Sequence, residues 1–219
     1  MKLLISIDEN ELAEYLSRQM NLIFPSKDPV NSQDLFEIQR ISLQRLEYCF
    51  SKVNNKYFFD GKNTIFNHLN GDQYSMYLYL MSYTAYKHFN NVDIAAKSYL
   101  LNKTLHGIDA FYEVELPDVF VFIHPLGTVL GRASYKDFLV VYQRCGIGSN
   151  NDCQPDLGKY LTLHPGASIL GKSVVGDNCS IASDSLLIDM TISDNQTYIG
   201  NPKANHLIER DDISEIWKL

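Results

Sequence analysis

The stretch richest in chemistry is Ile123-His124-Pro125-Leu126-Gly127-Thr128-Val129-Leu130-Gly131. His124 stands before a proline, with glycines three and seven residues on. An imidazole, with an ordinary pKa near 6.5, can take a proton near neutral pH. A lone histidine ahead of a proline is more often structural, so its surroundings must carry any assignment. The other histidines have weaker settings. His164 falls at a repeat corner and reads as surface, His106 adjoins Gly107 and reads as structural, and His68, His88 and His206 have no partners. The chain has no His-x4-His pair and no Cys-x-x-Cys pair, so no metal site is expected. Its four scattered cysteines read as reduced thiols without disulfides.

The element that must hold His124 follows it in the chain. Leu157, Leu163, Ile169, Val175, Ile181 and Leu187 fall at steps of six, and Ile199 keeps that phase while Ser193 misses it. Neither a helix nor a flat sheet predicts a period of six. It is the mark of a parallel β-helix whose short strands occupy the sides of a triangular coil. Small residues four positions later (Ala167, Ser173, Cys179, Ser185) fit tight corners, and glycines after the aliphatic residue (Gly158, Gly176, Gly200) suit turns with φ > 0. Upstream the rhythm slips. Leu130 to Val141 is one residue short of two repeats, and Ile147 to Leu157 implies a four-residue insertion. Ser149 to Asp156, rich in Asn and Asp, reads as a loop thrown out of the coil.

Residues 1–105 have helical character. Asp8 with Glu11 forms a capping box opening a helix to about Asn21. Further helices are expected from Asp34 to Lys52, Gln73 to Phe89 and Val92 to Asn102, with the Tyr74, Tyr77, Met81 stripe as core. The fold class expected is therefore α+β: an α-helical domain at 1–105, a left-handed β-helix at 106–208, and a tail at 209–219 forming a short helix that carries Trp217. Hydrophobic residues make up 45% of the chain, enough for a substantial core. The net charge of −7 and the lack of a basic stretch argue against a nucleic-acid partner. No run approaches the ~18 apolar residues of a membrane span, and the N-terminus turns acidic too early for a signal peptide, so a cytoplasmic protein is expected.

His124 with Gly127 and Gly131, entering hexapeptide repeats after a helical domain, resembles the serine O-acetyltransferase family and its His-x-x-Gly-x-x-x-Gly motif. In that family an Asp fifteen residues upstream orients the catalytic His, a position held here by Asp109. Gly200-Asn201-Pro202-Lys203-Ala204 is similar to the family's turn against the coenzyme A nucleotide, with its last two residues exchanged. The resemblance covers residues 105–208 and, more loosely, the helical segment. It implies acetyl transfer from acetyl-CoA to an acceptor, with His124 as general base and Asp109 as its orienter. General-base assistance of this kind is worth roughly 10²–10⁴-fold, and no protein nucleophile is needed. Coenzyme candidates are Gly146, Gly148, Ser149, Gly166, Ala167, Gly200 and Lys203. The resemblance also implies a homotrimer, or a dimer of trimers, since stacked coils leave edges to cover.

Two departures bear on the acceptor. The family's Asp before the catalytic His is Ile123 here, and its Arg-His pair in the inserted loop is replaced by Cys153-Gln154 ahead of Pro155. An unpaired carboxylate in a buried site costs several kcal/mol, so serine loses its partners. Ile123 and Gln154 suit a sugar hydroxyl better, and relatives with these departures belong to surface-polysaccharide synthesis. Serine O-acetylation and a non-catalytic hexapeptide scaffold are the competing readings. N-acetylation of an amino sugar would use the same base.

Overall fold

The computed structural model describes residues 2–218. Four helices come first: α1 (Glu9–Ile23), α2 (Ser32–Ser51), α3 (Gly71–Phe89) and α4 (Val92–His106). The Asp8 capping box is present, with the Asp8 carboxylate accepting from the Asn10 amide and Glu11 bonding back to the Asp8 N–H. The Tyr74, Tyr77, Met81 stripe is buried, as an apolar helix face should be. A two-stranded parallel ribbon, β1 (Leu3–Ile5) on β2 (Thr64–Phe66), is also present; its strands are too short to show a sequence period. Gly107, at φ +63°, caps α4 and turns the chain into the coil.

The coil is a left-handed parallel β-helix with three faces. Its strands are β3 (Ile108–Ala110), β4 (Phe120–Phe122), β5 (Thr128–Leu130), β6 (Leu139–Val141), β7 (Gly146–Gly148), β8 (Asp156–Leu157), β9 (Thr162–Leu163), β10 (Ser168–Leu170), β11 (Val174–Val175), β12 (Ser180–Ile181), β13 (Leu186–Ile188), β14 (Thr191–Ile192), β15 (Gln196–Asn201) and β16 (Ala204–Glu209). One face stacks β13-β10-β7-β5-β3, a second β14-β11-β8, and the third β16-β15-β12-β9-β6-β4. All these pairs are parallel except the closing β15–β16 hairpin. Helical and coil residues share one apolar core running from Leu12 to Trp217.

The six inward aliphatic residues from Leu157 to Leu187 are all buried, as are Ala167, Ser173, Cys179 and Ser185. The phase then slips. Val175 pairs with Ile192 and Ile181 with Tyr198, so Ile192 and Tyr198 point inward rather than Ser193 and Ile199. Dropping one residue after Leu187 lets the coil end on a large ring whose hydroxyl donates to the Leu186 carbonyl at 3.0 Å. The upstream slips fall where the sequence places them. Leu130 stacks on Ile147, and Ile147 on Ile169 after the inserted loop, which is a tight hairpin closed by reciprocal Asn150–Cys153 backbone bonds at 3.0 Å.

The corner glycines need a different explanation from the one expected. Only Gly200 of the three has positive φ. A Cβ on Gly158 would run into the backbone of Gly176, and one on Gly176 into Asp194, so these two are set by close stacking of coils. The tail also differs. Residues 210–218 form no helix but run back to the helical segment, where Trp217 bridges Val53 and is buried.

Candidate functional site

β4 delivers its C-terminal end to the corner where the six-stranded face hands over to the five-stranded one. His124 sits on that corner at φ +49°, and the Leu126 N–H donates to the His124 carbonyl at 2.7 Å, closing a tight turn over Pro125. The left-handed conformation recurs at the coil's corners, at Arg144, Tyr160 and Asn178 among others, and what sets His124 apart is the group its backbone meets. That group is Asp72 near the start of α3, whose carboxylate accepts from the His124 backbone N–H at 3.0 Å. Its other oxygen lies 3.7 Å from His124 Nδ1. The imidazole is 76% exposed, while the Asp72 side chain is 24% exposed. Burial raises the Asp72 pKa above the ordinary carboxylate value, opposed by the His124 N–H and imidazole.

The structure does not bring Asp109 to the imidazole. On β3, its carboxylate accepts from Tyr99 Oη at 2.7 Å and from Lys103 Nζ at 2.6 Å. Two donors on α4 therefore hold it. Asp72 is the acidic residue the sequence reading missed. At the start of a helix it reads as a complement to the helix dipole, and nothing in its local pattern points to a residue 52 positions away. Its signal is three-dimensional.

His124 and Asp72 open onto a cavity of about 560 Å³. Asn55, Tyr57 and Asn70 add further polar groups to its lining, and Phe58, Ile123 and Ile216 contribute apolar wall. Among the described residues none of those lining it is Lys or Arg. A larger, polar cavity of about 710 Å³ lies toward the other end of α3, lined by Arg45, Lys87, Lys136 and Lys159 with three carboxylates, away from His124.

The other expected site residues are dispersed. Ile123 lines the His124 cavity. Gln154 is exposed on the inserted hairpin, at the corner between the five- and three-stranded faces, so one chain does not place it beside His124. Gly146 and Gly148 lie on β7, and Ser149 is exposed beyond them. Ala167 is fully buried inside the coil, so its side chain cannot meet a ligand. A Cβ on Gly166 would collide with the Asp184 carboxylate, and one on Gly200 with the Ala204 carbonyl; both glycines are explained by the chain itself. Lys203 is exposed at the β15–β16 turn. Arg144, one coil beyond Gly127 at the His124 corner, pairs with Asp184 at 3.2 Å and is a cation the sequence reading passed over. His164, expected at the surface, is half-buried and stacks on Tyr142 with centroids 5.7 Å apart. Burial pushes the Cys49 thiol up to about 12 and Cys145 to about 11, so neither forms a thiolate nucleophile near neutrality.

No protein-family model matches the chain, and no curated protein sequence matches it. Solved structures do. A serine acetyltransferase from Neisseria gonorrhoeae superposes with TM-score 0.68 at 18% identity, over 92% of this chain and 78% of that one. The soybean serine acetyltransferase complexed with serine gives TM-score 0.70 at 15% identity, over 93% and 85%. A serine acetyltransferase complexed with CoA gives TM-score 0.66 at 16% identity, over 90% and 83%. At these identities the likeness establishes the fold: a helical segment followed by a hexapeptide β-helix, in the arrangement of the serine acetyltransferases.

Proposed function

We propose that the chain is an acetyl-CoA-dependent O-acetyltransferase, with His124 as general base and a sugar hydroxyl as acceptor. The observation that carries this reading is the His124–Asp72 pair at the mouth of a cavity that no Lys or Arg among the described residues lines. With Asp72 facing Nδ1, the Nε2 lone pair is left for the acceptor. The acceptor oxygen attacks the thioester carbonyl while its proton passes to His124. The carbon–sulfur bond then breaks, and the proton goes on to the departing thiolate. A carboxylate near the ring stabilises the imidazolium formed between these steps. The 3.7 Å separation is long for a hydrogen bond; catalytic contacts of this kind often tighten only once substrate is bound.

Asp109 is the other candidate orienter, and reaching the ring would require it to leave Tyr99 and Lys103. Acetyl-CoA is a co-substrate; Gly146, Gly148, Ser149 and Lys203 remain its candidate contacts. The solved structures of serine acetyltransferases of the same fold, complexed with CoA and with serine, support the transferase class. The serine reading stands as the alternative, since that fold is shared with serine enzymes. It requires a cation for the carboxylate, and since no Lys or Arg among the described residues lines this cavity, a neighbouring copy would have to supply one. Among the described residues no helix is long and apolar enough to cross a membrane. A homotrimer or a dimer of trimers is the assembly we expect. The five-stranded face runs from the His124 corner to the Gln154 corner, so a neighbouring copy is what would bring Gln154 to the site. The deciding experiment incubates the protein with acetyl-CoA and a panel of serine, nucleotide sugars and oligosaccharides. A mass gain of one acetyl group on a saccharide supports the proposal, and thiol release with serine alone overturns it.

A further inference from the structure

The tail does more than close the coil. Arg210 donates from its backbone N–H to the Asn195 carbonyl and from Nη1 to the Cys179 carbonyl, both at 2.9 Å, which fastens the start of the strap to the corner between the three- and six-stranded faces. At its other end the Asn54 N–H donates to the Ile216 carbonyl at 2.6 Å, Asn54 Nδ2 to the Glu215 carbonyl at 3.1 Å, and the Lys218 N–H to the Lys52 carbonyl at 2.8 Å. Trp217, 3% exposed, meets Phe138 edge-on, and Phe138 stacks on Tyr160 at 4.3 Å. Residues 214–217 form a tight turn in which the Trp217 N–H donates to the Ser214 carbonyl at 3.1 Å, leaving Ile216 just before the buried ring. With Trp217 locked into the core, Ile216 is turned into the wall of the His124 cavity.

We infer that Ile216, delivered by this strap, is a specificity-determining residue for the acceptor. Its wall with Ile123 selects an acceptor with an apolar face beside its reacting hydroxyl. The absence of a lining cation selects against a carboxylate or phosphate at that end. The chemical class this describes is a neutral saccharide hydroxyl, lying by its C–H face on Ile216. The inference rests on the reading of His124 as the base that defines the acceptor end of the cavity.

Trp217 is the chain's single tryptophan, so its emission reports on the strap without reference to activity. Wild type, Ile216→Ala and Ile216→Phe would be titrated with methyl glucoside and with glucuronate, reading Trp217 emission and, in parallel, acetyl transfer from acetyl-CoA. Wild type should respond to methyl glucoside at least tenfold more tightly than to glucuronate. Ile216→Phe should weaken that response tenfold or more, and Ile216→Ala should shift preference toward bulkier glycosides, with coenzyme A binding and melting temperature held in both. Unchanged saccharide affinity in both folded variants, or no emission response to either saccharide, overturns the inference. If Ile216 variants leave affinity unmoved while His124→Ala abolishes transfer, only the role of the strap falls. If wild type transfers no acetyl group, the catalytic reading falls, and the emission titration still decides the strap.

Discussion

Two stretches of one β-helix differ in how far they follow the rule that builds it. From Leu157 to Leu187 every sixth residue is aliphatic and buried, and coils superpose at a constant offset: Ile169 on Leu187, Ile181 on Leu163. From Ile108 to Ile147 the offset changes at almost every coil, as Ala110 pairs with Leu130, Phe122 with Val141 and Leu130 with Ile147. The regular coils bond chiefly from one coil to the next. Left-handed corner residues occur in both stretches, at Tyr160, Asn178 and Asp184 as at His124, but the His124 N–H bonds outward, to a helix rather than to the next coil. Rules of local consistency tend to be broken where a site must be built, and here the broken part faces the helices and the cavity.

The sharpest way to test the contrast is to remove the imidazole. His124→Ala should lower kcat by roughly 10²–10⁴-fold, while coenzyme A binding by calorimetry and the melting temperature stay near wild type. A melting temperature that collapsed with activity would make His124 a structural residue. Ile169→Ala strikes the regular stretch instead. Ile169 is fully buried, and truncating such a side chain costs about 2–5 kcal/mol. Chemical denaturation should show that loss, with kcat per folded molecule unchanged.

The same contrast explains what could be read from the sequence. Inward residues at 157, 163, 169, 175, 181 and 187 were legible because each is aliphatic and no neighbour competes for the role. The slip to Ile192 and Tyr198 was not, since Tyr198 and Ile199 are both apolar and either fits the next step. The strap was misread for a related reason. Ile213, Ile216 and Trp217 recur at helical spacing, yet the backbone of 216–218 pairs with 52–54 instead. His124 carries a local motif that singles it out in the sequence. Asp72, its structural neighbour, lies 52 residues away and had none.

The two carboxylates offered as partners of His124 can be separated by a milder change. Asp72→Asn should lower kcat by about 10–10²-fold, less than the roughly 10²–10⁴-fold of losing the base itself, and Asp109→Asn by less still. Linkage adds a second readout. Burial raises the folded-state pKa of Asp72, so between its ordinary and raised values the native state binds more protons than the unfolded one, and stability falls as pH rises through that window. The ionised form is thus the costly one. Asp72→Asn should melt at the same or a higher temperature than wild type at pH 7 while losing activity, a pattern common where a site is maintained against stability. If Asp109→Asn proved the more damaging to kcat, Asp109 would be the orienter and its contacts with Tyr99 and Lys103 a resting arrangement.

The smallest effect is expected at the second corner. Gln154→Ala removes an exposed side chain from the inserted hairpin, and surface changes of this kind usually move stability by less than about 0.5 kcal/mol. In an isolated chain it should leave the acceptor KM within about threefold of wild type, because its corner is not the His124 corner. If a neighbouring copy supplies Gln154 to the site, the acceptor KM should rise further while kcat holds, and only under conditions where light scattering shows an oligomer. A concentration-dependent KM in wild type that Gln154→Ala abolishes would tie the irregular loop to the irregular corner. A flat response in oligomeric protein would leave acceptor choice to the cavity walls of a single chain.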